Sequence, residues 1–159
     1  MNTAKKIIIT GGCGYLGSIT GHALRKEGYI PLLLDNFSTS HRGKTNLPGE
    51  LFEVDLKERS ATEKVFSEIG PVHAIIHFAA HGLVPESIQN PGLYFHNNLN
   101  ATLTIAECAA KFKIPYLIHS SSCAVYGTPA QQPISEGEPL TRTEKLEEVI
   151  TTMIHLTQL

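Results

Sequence analysis

Residues 9–18 read ITGGCGYLGS, directly after Ile7 and Ile8. Gly11, Gly14 and Gly17 recur at every third position. Glycine weakens regular structure, so a cluster of them at one strand end marks a place where backbone must come close to something. On the near side, Lys6–Thr10 is apolar and β-branched and reads as a fully buried strand. On the far side, residues 16–26 have helical spacing. Leu16, Ile19, Ala23 and Leu24 can share one face there, and Gly28 is the stop signal.

The same alternation continues outward. Residues 29–35, YIPLLLD, predict a second strand ending at Asp35, with Pro31 expected at its first residue because proline cannot donate to a ladder. A polar stretch punctuated by Gly and Pro follows. Residues 51–55, LFEVD, predict a third strand, residues 58–68 a helix, and residues 72–80 a fourth strand. HGLVPESIQ reads as a loop leading to Asn90-Pro91, an N-cap followed by a proline suited to the first helical position. One long helix is expected from there to residue 112, with Leu99, Leu103, Ala106 and Ala110 on one stripe. Residues 114–122 predict a fifth strand and residues 143–156 a final amphipathic helix. Apolar strands alternating with helices imply an α/β fold, a doubly wound parallel sheet covered on both faces. Right-handed crossovers give the expected Rossmann-like strand order 3-2-1-4-5, with the glycine turn at the switch point.

The 159 residues fit one domain, are 42% hydrophobic and carry a net charge of -2. That balance excludes a disordered chain and lacks the basic excess that nucleic acid requires. Cys13, Cys108 and Cys123 are odd in number and widely spaced, which disfavours a disulfide framework or a structural zinc site. Reduced thiols in a cytoplasmic setting are the expectation. No apolar run approaches the length of a membrane span, and the N-terminus shows no signal peptide. The eight histidines form no metal-ligand pattern. His77 and His119 are expected in the core, and His73, His81 and His96 in loops or at the surface.

In such a sheet a ligand sits beyond the carboxyl ends of the strands. A glycine turn opening a helix lets amides and the helix dipole face a pyrophosphate. Asp35 stands about 20 residues beyond the turn, where a carboxylate accepts hydrogen bonds from ribose hydroxyls and repels a 2′-phosphate. NAD rather than NADP is therefore the expected cofactor. The lysine of a Walker motif is absent, which disfavours ATP hydrolysis.

TGGCGYLGS, LLLDNFSTS, VDL, IIHFAA, LVPESIQNP, NNLNAT and SSSCAVYG, taken in order, resemble the extended short-chain dehydrogenase/reductase family of NAD-dependent epimerases and dehydratases. Within it the chain is most similar to the branch that interconverts UDP-glucose and UDP-galactose. The resemblance implies a pyrophosphate loop at Gly11, Gly14, Tyr15, Leu16 and Gly17. It implies adenosine-ribose contacts at Asp35 and Asn36, and an adenine side at Asp55 and Leu56. Phe78, Ala79, Ala80 and Asn97 would line the cofactor. Ser122 matches the catalytic serine and Lys145 the catalytic lysine, and no metal is implied. A nucleotide sugar is the implied partner, with homodimerisation through the helices at 90–112 and 143–156; nucleic acid and membranes are not.

Two departures follow. The family's catalytic tyrosine lies four residues before its lysine, but Thr141 stands four residues before Lys145. A threonine hydroxyl is far too weak an acid to replace a phenol as the base. Tyr126 is a nearby phenol, but its position in the motif is not that of the base. The chain also ends where the family continues into a sugar-binding part. Residues 1–159 are thus expected to form one nucleotide-binding domain with no second domain, inactive alone. An NAD-binding remnant, a dimerising interaction module, and another NAD-dependent sugar-nucleotide dehydratase or reductase remain alternatives.

Overall fold

The computed structural model describes residues 4–43, 46–127 and 131–138. Five parallel strands form one sheet: β1 (Lys6–Thr10), β2 (Ile30–Asp35), β3 (Glu50–Glu53), β4 (Ala74–His77) and β5 (Tyr116–His119). Their order is β3-β2-β1-β4-β5, as the alternation of elements predicts. The helices are α1 (Tyr15–Lys26), α2 (Arg59–Ile69), α3 (Val84–Gln89), α4 (Pro91–Tyr94) and α5 (Asn100–Lys111).

Side-chain alternation along β1 and β2 divides the core in two. Ile8, Leu32, Leu34 and Ile75 point to one face, where Phe66 of α2 and Ala101, Ile105 and Cys108 of α5 cover them. Ile7, Ile9 and Leu33 point to the other face, against Leu24 of α1. Pairing of Thr10 with Leu34 and His77 brings the ends of three strands level beneath the glycine turn.

Several local expectations need correction. Pro31 is the second residue of β2, not the first. Ile30 donates its amide to Lys5 of the β1 side, so the Pro31 nitrogen points toward β3. The β3 ladder begins only at Leu32 with Glu50, so no donor is lost. HGLVPESIQ is not wholly loop, because α3 forms within it, with a proline in its first turn. The long helix is interrupted by a π-helical turn at Phe95–Leu99 between α4 and α5. Of the four residues expected on one face, Leu16, Ile19 and Ala23 share a stripe that faces outward, whereas Leu24 packs on the core together with Gly17 and Gly21.

β5 lies at the sheet edge among the described residues. Tyr116, Leu117 and Ile118 are 57%, 40% and 55% exposed, unlike the buried strands inside the sheet. The expected final helix at 143–156 falls outside the described residues. No described helix is long and apolar enough to cross a membrane.

Candidate functional site

At the carboxyl ends of the strands lies a cleft of about 240 Å³. Its first wall is the glycine turn. Gly11 has φ +64, a left-handed conformation that side chains resist, and the Gly14 amide donates to its carbonyl at 2.9 Å. A Cβ on Gly17 would run into that same carbonyl oxygen, so only glycine lets the first turn of α1 close on the loop. Gly14 caps α1 without a side-chain hydrogen bond, and no acidic side chain occupies the first turn. The amides of that turn and the positive end of the helix dipole are thus available to an anion.

The second wall is Asp35 at the end of β2. Its Oδ2 accepts the Cys13 amide at 2.9 Å, and its Oδ1 accepts the Phe37 amide at 2.8 Å and the Ser40 hydroxyl at 2.9 Å. The carboxylate therefore ties the glycine turn to the loop after β2. Cys13 itself is fully buried, consistent with a filler of that turn.

Asp55, Leu56, Phe78, Ala79, Ala80 and Asn97 complete the cleft with Gly11, Gly14, Tyr15, Leu16, Gly17, Asp35 and Asn36. Every residue expected to bind the cofactor lines it. Ser38, Thr39, Ser40, His81 and Ala101 line it as well and were not anticipated individually. The polar run after Asp35 was the available signal for the first three. His81 lies in the loop after β4, as expected, but is half-buried and lines the cleft, its ring edge-on to Tyr94 at 5.6 Å. Burial is the main cause lowering its pKa. Asn98 holds its backbone from both sides, donating to the His81 carbonyl at 3.0 Å and accepting the His81 amide at 2.8 Å. Tyr94 is buried, and its hydroxyl bonds Leu83 and Glu86; burial, then the Glu86 carboxylate, push its pKa up to about 12.

Ser122 lies in an adjoining cavity of about 280 Å³ that shares Leu16, Phe78, Ala79 and Ala80 with the cleft. His77 and His119 face each other on β4 and β5 at its inner end, with ring centroids 5.1 Å apart. Tyr126 closes the short 3-10 turn Cys123–Tyr126 that follows the serines. Lys145 and Thr141 lie outside the described residues. Among those described, no group of three or more His, Cys, Asp or Glu is placed to hold a metal ion.

A glycine-lined helix N-terminus at the switch point, facing an acidic strand end, narrows the fold to the dinucleotide-binding type. The family comparison decides further, because residues 7–148 match the NAD dependent epimerase/dehydratase family. The chain belongs to that family. It is 39% identical over 150 residues to UDP-glucose 4-epimerase 2 of Arabidopsis thaliana, covering 88% of this chain and 43% of that protein. To the UDP-glucose 4-epimerase of Bacillus subtilis it is 40% identical over 144 residues, covering 86% and 42%. The crystal structure of UDP-glucose 4-epimerase from Bifidobacterium longum, a complex with NAD+ and UDP, superposes with a TM-score of 0.81 at 30% identity. That match covers 96% of this chain and 47% of the other. The chain therefore spans less than half the length of these family members.

Proposed function

We propose that this chain is the NAD-binding part of a UDP-glucose 4-epimerase-like protein. The observation that carries the reading is the cleft itself, in which a glycine-closed helix N-terminus and the Asp35 carboxylate form two walls of one space. The residues fit a dinucleotide, because glycine at position 17 lets the first turn of α1 close on the loop and the α1 amides carry no side-chain cap. The turn at Gly11, Gly14 and Gly17 would hold the pyrophosphate, Asp35 and Asn36 the adenosine ribose, and Asp55 and Leu56 the adenine side. A carboxylate at position 35 repels a 2′-phosphate, which favours NAD over NADP. When bound, NAD supplies a hydride acceptor for the sugar C4.

In this reading Ser122 hydrogen-bonds the reacting oxygen of UDP-glucose or UDP-galactose, and Lys145 holds the nicotinamide ribose. The described residues act as one nucleotide-binding domain, in the cytoplasm, and with Thr141 in the place of the base residues 1–159 by themselves do not turn over. Positioned acid–base groups typically supply about 10²–10⁴-fold in rate, and their loss is not offset by Ser122. Titration calorimetry with both cofactors tests the binding; equal or tighter NADP binding overturns it. A coupled assay tests the chemistry; turnover abolished by Ser122→Ala would show that an unrecognised base exists, with Tyr126 examined first.

A second reading concerns a partner. Leu99, the last residue of the π-helical turn, and Leu103 of α5 are four residues apart and are 41% and 52% exposed. That stripe favours self-association of two copies, alongside cofactor binding.

A further inference from the structure

His77, Thr10 and Thr102 come from β4, β1 and α5 and meet beneath the turn that follows β4. Thr10 is fully buried and His77 nearly so. The Thr10 hydroxyl oxygen accepts the Ala79 amide at 3.2 Å. Its own proton needs an acceptor, and His77 Nδ1 lies 2.6 Å away. Nδ1 thus takes the hydrogen bond as an unprotonated nitrogen, which leaves the ring proton on Nε2. Thr102 Oγ1 sits 3.2 Å from Nε2 and accepts it. The result is one directed chain, from the Ala79 N–H to Thr10, from Thr10 to His77, and from His77 to Thr102.

We propose that His77 is a positioning residue for the nucleotide cleft: as a neutral imidazole protonated on Nε2, it fixes the backbone of Phe78, Ala79 and Ala80 against the glycine turn. The proposal rests on the reading of the cleft as an NAD site. The spacing it controls is tight, since a Cβ on Gly11 would lie 3.0 Å from the Ala79 nitrogen. A small shift of the turn therefore changes the cleft floor directly. The groups that face the imidazole are Thr10 from β1, Thr102 from α5 and His119 from β5. None of them offers a negative charge to stabilise an imidazolium, so the neutral ring is the form this environment selects. A hydroxyl relay of this kind sets the tautomer of histidine through the partner of its other nitrogen.

The experiment combines imidazole ¹⁵N–¹H correlation spectra with NAD titration of the full chain, for the parent and for Thr10→Val, Thr10→Ser and Thr102→Val. In the ligand-free parent, His77 is expected to show protonated Nε2 and bare Nδ1, unchanged between about pH 5 and pH 8. Thr10→Val is expected to shift the Gly11, Ala79 and Ala80 amide resonances and to weaken NAD binding about tenfold, the equivalent of one buried hydrogen bond. Thr10→Ser is expected to restore both. A His77 ring protonated on Nδ1, or titrating like a free histidine, overturns the proposal. So do Gly11 and Ala79 resonances that stay in place in Thr10→Val. Should Thr10→Val not fold, the parent spectrum decides the tautomer and Thr102→Val the coupling, with unmoved Ala79 and Ala80 resonances counting against it. A parent that fails to bind NAD removes the cofactor reading, while the ligand-free spectra still decide the role of His77.

Discussion

Asp35 is the residue whose replacement separates the structural from the ligand-binding role of the cleft. Its carboxylate accepts three hydrogen bonds, from the Cys13 amide, the Phe37 amide and the Ser40 hydroxyl. Asp35→Asn keeps the shape and puts an NH₂ in place of one oxygen. Turned toward Cys13, that NH₂ sets a second donor against a fully buried N–H in place of its carboxylate acceptor. Turned the other way, it faces the Ser40 hydroxyl, which can rotate to accept, and the Phe37 amide, which cannot. The second orientation is the less costly, so one amide loses its acceptor there. Phe37 has φ 57, a conformation strained for an aromatic residue, and the Asp35 bond helps to hold it. An unmade hydrogen bond at a buried donor costs about 1–3 kcal/mol; the part-buried Phe37 amide falls short of the upper end, while the loss of a charged acceptor raises the cost. A loss of about 1.5–2 kcal/mol is therefore expected with no nucleotide present. Urea denaturation at pH 7.5 measures it. A loss below about 0.5 kcal/mol, the range of ordinary surface substitutions, would refute the reasoning. With NAD at about 100 times its dissociation constant the parent gains about 2.7 kcal/mol, and the variant is expected to gain nearly as much at the same concentration while losing its preference for NAD over NADP.

Other perturbations probe the remaining parts. Gly17→Ala places a Cβ on the Gly11 carbonyl oxygen and is expected to lower stability by about 1–3 kcal/mol and to abolish NAD binding, read by thermal denaturation with and without cofactor. Burial, then the neighbouring His119, pull the His77 pKa down from 6.5 to about 3, so the unfolded chain binds the proton first as pH falls. Stability is fully present above pH 6.5 and is lost toward pH 3; from pH 7.5 to 5.5 the loss is about 1.4 kcal/mol, and His77→Gln should remove that slope in paired urea titrations. His81 and His119 are shifted in the same direction and add to it. The exposed β5 edge is expected to promote self-association that Ile118→Lys suppresses; static light scattering showing a stable parent monomer at high concentration would contradict this.

The strand order and the placement of the cleft were legible because both follow from local chemistry. A glycine turn between a β-branched run and a helix has few uses, and an acidic residue at the end of the next strand narrows them further. The orientation of α1 was not legible from periodicity. Leu16, Ile19 and Ala23 form the stripe that a helical pattern highlights, yet the sheet is met by Gly17, Gly21 and Leu24, because at the two glycines the helix must approach closely and side-chain bulk is excluded. α3 is short and holds a proline in its first turn, and it is anchored by the Tyr94 hydroxyl on Leu83, a contact that no local pattern announces. The π-helical turn likewise breaks a stretch whose apolar spacing is continuous. The Thr10–His77 contact joins residues 67 apart in the chain, and its meaning depends on a third partner, the Ala79 amide.

The two walls of the cleft solve recognition differently, and the difference bears on affinity. The glycine wall offers backbone amides that the fold leaves uncapped, so an anion gains donors without displacing protein contacts. The Asp35 wall is already engaged by the protein. A carboxylate has about four acceptor positions, and Cys13, Phe37 and Ser40 fill three of them. A ribose diol brings two donors to the one position left. It must share an oxygen or displace a partner, and of the three partners the Ser40 side chain alone can rotate away without moving backbone. In the proposed reading the ribose would be recognised by exchange of one hydrogen bond for another, whose net worth is small. The pyrophosphate, facing amides with no side-chain cap, would in that reading contribute most of the binding, while Asp35 would contribute discrimination against a 2′-phosphate.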